Sequence, residues 1–127
     1  MREKQANKPN ATVVGLGACT WDNFIACDDF PQNEGVTLAE ERAEFGGGPV
    51  ATALCVLGHL GTTCCMVDSF GDDEDATKIS RELRIHQVDT SLCSQNLNSR
   101  SSKATILVRR RDGARHIYYT PTQAPDP

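Results

Sequence analysis

Apolar positions recur along the chain in blocks whose period shifts between two and three-to-four, and these shifts divide it into strands and helices. Thr12-Val13-Val14-Gly15-Leu16-Gly17 is a short apolar run ending in glycine, the pattern of a buried parallel strand that opens into a ligand-facing loop. A second extended piece covers Asn23 to Cys27, and Pro31 with Asn33 to Gly35 then breaks the pattern. Gly35 to Phe45 alternates as a strand does, although Leu38-Ala39-Glu40-Glu41-Arg42 also fits the start of a helix. Val50 to Leu60 is apolar on nearly every side, which predicts a helix buried in the middle of the protein, with Gly61 as its C-terminal stop. Thr62 to Val67 is β-branched and apolar and predicts a second parallel strand. Glu74 to Arg84 predicts an amphipathic helix facing inward through Ala76, Ile79 and Leu83, with Asp72 and Asp73 as capping carboxylates rather than metal ligands. Val88-Asp89-Thr90-Ser91 closes that unit, and Lys103 to Val108 with Arg115 to Thr120 flank Asp112-Gly113, a strong hairpin signal. Strand, helix and strand in this order make a βαβ unit interrupted by an inserted pair of strands.

Composition narrows the classes. With 127 residues, 39% hydrophobic and 24% charged, the chain has the size and make-up of one globular domain. Its net charge of −4 supplies no general attraction to nucleic acid or an anionic membrane, and no apolar run is long enough to span a bilayer. The basic cluster Arg109-Arg110-Arg111 sits between strand-like segments and reads as the solvated tip of a hairpin. Six cysteines include no Cys-x-x-Cys pair, and the adjacent Cys64 and Cys65 point to opposite faces of a strand. Met1 to Ala11 is polar rather than apolar, so the expectation is a cytoplasmic protein with reduced, mostly buried thiols. His59 reads as a core or interface histidine, and His86 and His116 as exposed ones.

Candidate chemistry centres on Phe45-Gly46-Gly47-Gly48-Pro49, a flexible glycine cluster directly before the apolar helix. Such a junction is a hinge or a point of close approach to a ligand, aiming backbone N–H groups upward, or else a plain loop. No Gly-x-x-x-x-Gly-Lys-Ser/Thr loop occurs, and Gly15-Leu16-Gly17 lacks the last glycine of a dinucleotide fingerprint.

Four pieces in order resemble the ribokinase-like (PfkB) carbohydrate kinases: Val13-Val14-Gly15 with Gly17 and Asp22; Gly47-Gly48-Pro49-Val50-Ala51-Thr52-Ala53 through Leu60-Gly61; Gly71-Asp72-Asp73 followed by a helix and Val88-Asp89-Thr90; and Ala104 to Tyr119 around Asp112-Gly113. The resemblance implies the first part of a three-layer α/β/α, Rossmann-like fold with a small β-sheet lid. Residues 1–11 would be a disordered tail and 12–127 the sugar-binding and lid part of an incomplete kinase domain, since relatives run to about 300 residues. It also implies that Asp22 binds sugar hydroxyls, that Gly47 and Gly48 let the sugar approach and act as the lid hinge, and that Thr52 stands where many relatives carry a sugar-binding asparagine. Thr20, where ribose kinases carry another asparagine, is either a sugar contact or a strand-end residue. A threonine hydroxyl cannot reproduce the bidentate contact of an amide.

The catalytic aspartate of the family lies in a Gly-Ala-Gly-Asp motif that does not occur in this sequence. The resemblance therefore implies ATP and Mg²⁺ in the complete enzyme, no catalytic residue and no metal ligand in this chain, and no full cofactor site. A sugar is the expected partner, with a homodimer through the lid. The cysteine-containing helix and the Thr120-Pro121 to Pro125-Asp126 end are similar to those of ketohexokinases and fructokinases, which implies a ketohexose-like acceptor. The alternatives are a non-catalytic sugar-binding or dimerisation module and a truncated gene product.

Overall fold

A computed structural model describes residues 11–39, 41–125 and 127. The expected tail lies outside the described residues except for Ala11, as do Glu40 and Asp126. In chain order the elements are β1 (Val13–Leu16), β2 (Thr20–Cys27), β3 (Glu41–Gly47), α1 (Pro49–His59), β4 (Cys64–Val67), β5 (Ser69–Phe70), α2 (Glu74–Ile85), β6 (Val88–Asp89), β7 (Ser94–Gln95), β8 (Lys103–Arg109) and β9 (Arg115–Thr120).

The two apolar runs read as parallel strands do pair with each other. β1, β4 and β6 form a parallel sheet with β4 in the centre, Val13 opposite Cys64 and Cys64 opposite Val88. The inserted strands leave for a second sheet of order β3-β2-β8-β9, in which β2 runs antiparallel to β3 and parallel to β8. Asp112-Gly113 turns β8 back into antiparallel β9, with Gly113 at φ 70°. β5 and β7 pair as a short parallel ribbon; two-residue strands carry too little alternation to stand out in a sequence.

Both helices lie against one face of the parallel sheet. The core joins Cys64, Met66 and Val88 to Ala51 and Leu54 of α1 and to Ala76, Ile79 and Leu83 of α2. Gly15 makes this approach possible, because a Cβ there would lie 2.6 Å from Val50 Cγ1 and 2.7 Å from Leu54 Cδ1. On the opposite face of β1, Val14 and Leu16 are 54% and 67% exposed. Among the described residues, then, the expected α/β/α architecture is represented by the sheet and one helical layer.

Several expectations need correction. α1 is apolar all round but buried on one side only: Ala51, Leu54 and Gly58 are covered, while Val56, Leu60 and His59 are exposed. The strand expected from Gly35 begins at Glu41 and continues through Gly46 and Gly47, because the ladder with β2 runs from Ala26 opposite Glu41 to Thr20 opposite Gly47. Residues 36–39 have no regular structure, so the helix alternative does not form. Arg109 ends β8 instead of waving at a tip: its guanidinium donates to Asp112 at 3.0 and 2.8 Å and to Asp29 at 3.2 Å, and stacks 5.0 Å from the Phe30 ring centroid. That hydrogen bond from Arg109 holds the Asp112 carboxyl down to about 2.

Other expectations match. Gly61 follows α1 at φ 87°, with its N–H bonded to the Gly58 carbonyl at 3.0 Å. Ala76, Ile79 and Leu83 are the buried residues of α2, whose N-cap is Asp73. All six cysteines are free thiols.

Candidate functional site

The two sheets meet where the chain crosses between them, and two crossings touch. Gly17-Ala18-Cys19 carries β1 into β2, and Gly48 carries β3 into α1. Gly48 has φ 96°, which disfavours any other residue, and a Cβ on it would overlap the Ala18 carbonyl oxygen. Being glycine, it also leaves the N-terminus of α1 without a side-chain cap.

Asp22 is the third residue of β2, not a loop residue beyond β1, and alternation places it on the same face as Thr20. Across the ladder Thr20 faces Gly47 and Asp22 faces Phe45. The Thr20 hydroxyl donates to Asp22 Oδ1 at 2.6 Å, and Thr20 is only 7% exposed. A Cβ on Gly47 would overlap the Asp22 carboxylate, so that carboxylate lies directly on the Gly47 backbone. The glycine cluster is therefore not a flexible loop throughout: Gly46 and Gly47 are paired strand residues, and Gly48 alone forms the crossing. Thr52 lies one turn into α1, exposed, with its N–H bonded to the Gly48 carbonyl at 2.9 Å. Thus Thr20, Asp22 and Gly47 are in direct contact, Gly48 adjoins them, and Thr52 follows one turn later.

An open groove of about 400 Å³ between α1 and α2 reaches Thr20, Gly46, Gly47 and Thr52. Its walls are mainly apolar, including Val56, Leu60, Ile79 and Leu83, and Asp22 is not among them.

Three anchors surround this site, and of these the sequence showed only the capping role of Asp73. The first is Asp68, the residue after β4, whose buried carboxylate accepts from the Cys19 N–H at 2.7 Å and the Ser69 N–H at 2.8 Å. Burial pushes this carboxyl up, against the pull of those two bonds, and burial likewise pushes the Cys93 thiol up to about 12. Its signal was an acidic residue directly after an apolar strand, at the carboxyl edge where open α/β sheets bind ligands. The second is Asp73, which caps α2 and also accepts from the N–H and hydroxyl of buried Ser101 at 2.8 and 2.7 Å. Burial raises its carboxyl, but the bonds from Ser101 and Ala76 outweigh that and bring it below the ordinary range. Asp72 receives the Asn98 N–H at 3.1 Å, so both carboxylates hold the loop entering β8. The third is Trp21, whose ring N–H donates to Glu44 at 3.0 Å while Lys78 of α2 lies 5.6 Å over the ring and 3.5 Å from Glu44. It ties the second sheet to α2.

Among the described residues no group of three or more His, Cys, Asp or Glu side chains could hold a metal ion, and no helix is long and apolar enough to cross a membrane.

The sequence profile described as pfkB family carbohydrate kinase matches residues 10–126. A protein of Agrobacterium tumefaciens assigned as a ribokinase is 29% identical, with a TM-score of 0.78 over 87% of this chain and 36% of its own. Arabidopsis thaliana ribokinase, solved with ribose and ATP, is 18% identical, with a TM-score of 0.75 over 87% of this chain and 36% of its own. Giardia lamblia ribokinase is 19% identical, with a TM-score of 0.77 over 87% of this chain and 33% of its own. The chain thus spans about a third of the length of these structures.

Proposed function

Because the chain belongs to the pfkB family of carbohydrate kinases, we propose that its described residues form the acceptor-sugar side and lid of an ATP-dependent phosphotransferase. The observation that carries this reading is the Asp22 carboxylate, held by the Thr20 hydroxyl and seated on Gly47 where the two sheets meet. A carboxylate so held is acceptor-only and preorganised, suited to receive hydrogen bonds from two adjacent sugar hydroxyls. Thr20 acts in this reading as the group that orients Asp22, its proton being committed. Thr52 offers its exposed hydroxyl from the first turn of α1, and Gly47 lets the sugar reach the backbone. Gly48 is the pivot on which the lid sheet closes, excluding water that would otherwise accept the phosphoryl group.

ATP and Mg²⁺ belong to the complete enzyme, where they supply the phosphoryl group and offset its charge. The described residues offer no metal-binding cluster, and the sequence has neither a phosphate loop nor the Gly-Ala-Gly-Asp run. These residues alone are therefore read as binding sugar without turning over ATP. A ketohexose-like acceptor is favoured over ribose because the cysteine-containing helix and the Thr120-Pro121 to Pro125-Asp126 segment resemble those of ketohexokinases and fructokinases. The lid is read as a homodimer contact because its Asp22-bearing face continues through Phe24, Phe45, Ile106, Ile117 and Tyr119, of which Phe45, Ile117 and Tyr119 are exposed. Six free thiols favour a cytoplasmic setting.

Calorimetric titration of the purified chain with fructose, ribose and nucleosides, with and without ATP, tests this reading. Fructose binding without turnover is expected. Sugar-dependent ATP hydrolysis or transfer by these residues would refute the division of labour, and loss of no affinity in Asp22→Asn would refute the site.

A further inference from the structure

We propose that Asp68 is a positioning residue of the sugar site: its buried carboxylate pins the β1–β2 crossing at Cys19 and thereby sets the place of the Thr20–Asp22 pair and of the lid pivot. The inference rests on the sugar-site reading for its functional part and on geometry alone for its structural part.

Asp68 lies between β4 and β5, where Val67 before it pairs with Leu16 of β1 and Ser69 after it pairs with Ser94 of β7. Its main chain is held a third way, because its carbonyl accepts the Ser94 N–H at 3.0 Å. From this rigid base one carboxylate oxygen reaches the Cys19 N–H at 2.7 Å and the other the Ser69 N–H at 2.8 Å. Cys19 is itself buried and immediately precedes Thr20, whose hydroxyl orients Asp22. The second crossing rests on the first, since Gly48 packs against the Ala18 carbonyl and a Cβ there would come within 3.3 Å of Cys19 Cα. One side chain at the end of β4 thus holds the point where the chain leaves for the lid through β2 and against which its return through Gly48 packs.

The chemistry of the bond is specific. Both carboxylate oxygens accept from backbone N–H groups, so an isosteric amide in place of Asp68 must turn an NH₂ toward a donor. Asp68→Asn keeps the volume and removes one charge-assisted bond, which distinguishes positioning from packing.

The test compares the unmodified chain, Asp68→Asn, and Val88→Ala, a cavity variant in the same core away from the crossing. Amide hydrogen exchange at Cys19, Thr20, Trp21 and Asp22 and titrations with D-fructose and D-ribose are read for each. Asp68→Asn is expected to speed exchange at these four amides and to weaken fructose binding by at most roughly 10- to 100-fold, the full worth of one hydrogen bond to a charged group. Val88→Ala is expected to lower the melting temperature without either local effect. Unchanged exchange at the four amides in Asp68→Asn, or equal local effects in Val88→Ala, would overturn the proposal. If the unmodified chain binds neither sugar, the sugar-site reading fails separately, and the exchange comparison still decides whether Asp68 sets the crossing.

Discussion

Gly47→Ala is the sharpest perturbation of the site, because the added methyl has one place to go and it is occupied. An ideal Cβ at Gly47 overlaps the Asp22 carboxylate, with Oδ1 2.7 Å away. Gly47 does not have a positive φ, so the backbone itself accepts alanine and the cost arises from the collision. Relief requires Asp22 to rotate away, which breaks the 2.6 Å bond from Thr20 and withdraws the carboxylate from any sugar. Overpacking of this kind costs about 1–3 kcal/mol of stability. Losing a hydrogen bond to a charged group weakens ligand binding by roughly 10- to 100-fold. Gly61→Ala is the matching control: its φ of 87° imposes strain, yet a Cβ there meets nothing within 4 Å. That strain costs about 1–2 kcal/mol, comparable to the first variant, but it lies at the far end of α1. Thermal unfolding and calorimetric titration with D-fructose on both variants separate the effects. Both should melt earlier, and only Gly47→Ala should lose the sugar. Sugar affinity retained in Gly47→Ala, or lost equally in Gly61→Ala, would refute the reasoning.

Three further outcomes are expected. Asp73→Ala removes the α2 cap and both bonds to Ser101, and should cost about 0.5–2 kcal/mol or slightly more at neutral pH. Because the folded Asp73 carboxyl lies below its ordinary value of 3.8, its contribution is present above that pH and is lost as pH falls through the folded value, so urea midpoints of variant and unmodified chain should converge in acid. Glu44→Gln weakens the tie among Trp21, Glu44 and Lys78 and should shift the emission of Trp21, the sole tryptophan, with a smaller further shift on adding fructose; identical spectra would show that the ring senses neither. Ile117→Glu places a charge on the exposed apolar lid face, and sedimentation velocity should show a dimer of the unmodified chain dissociating; a monomer in both cases would remove the lid contact from the proposal.

Much of the fold was legible because local and long-range preferences agree. β1, β4 and α2 carry clean periodic signals, and Asp112-Gly113 fixes its hairpin by turn chemistry alone. The misread parts depend on partners remote in sequence. Gly46 and Gly47 look like loop residues until Trp21 and Thr20 pair with them, and Arg109 looks solvated until Asp29 and Phe30 arrive from another loop. α1 has the composition of a fully buried helix, yet composition does not say how many sides find a neighbour. At the site, Asp22 and the roles of Gly47 and Gly48 came from the resemblance to the kinase family. Asp68 and Ser101 did not, since a buried carboxylate or hydroxyl is recognised by its bonds to main-chain groups, and those follow from the tertiary arrangement.

The parallel pairing of β2 with β8 constrains how the protein can be made. Trp21 aligns with Lys103 and Cys27 with Arg109, so the inner strand of the lid lacks its second neighbour until the chain has grown past residue 109. At ribosomal speeds of 5–20 residues per second, the stretch from the end of β3 to Arg109 takes roughly 3–12 s. During it the β2–β3 ribbon exposes one edge with free N–H and C=O groups, a template for unwanted pairing between nascent chains. Asp22 and Asn23, in the middle of that strand, are poor partners for such stacking. The aspartate read as gripping a sugar in the finished domain would then also guard the unfinished one.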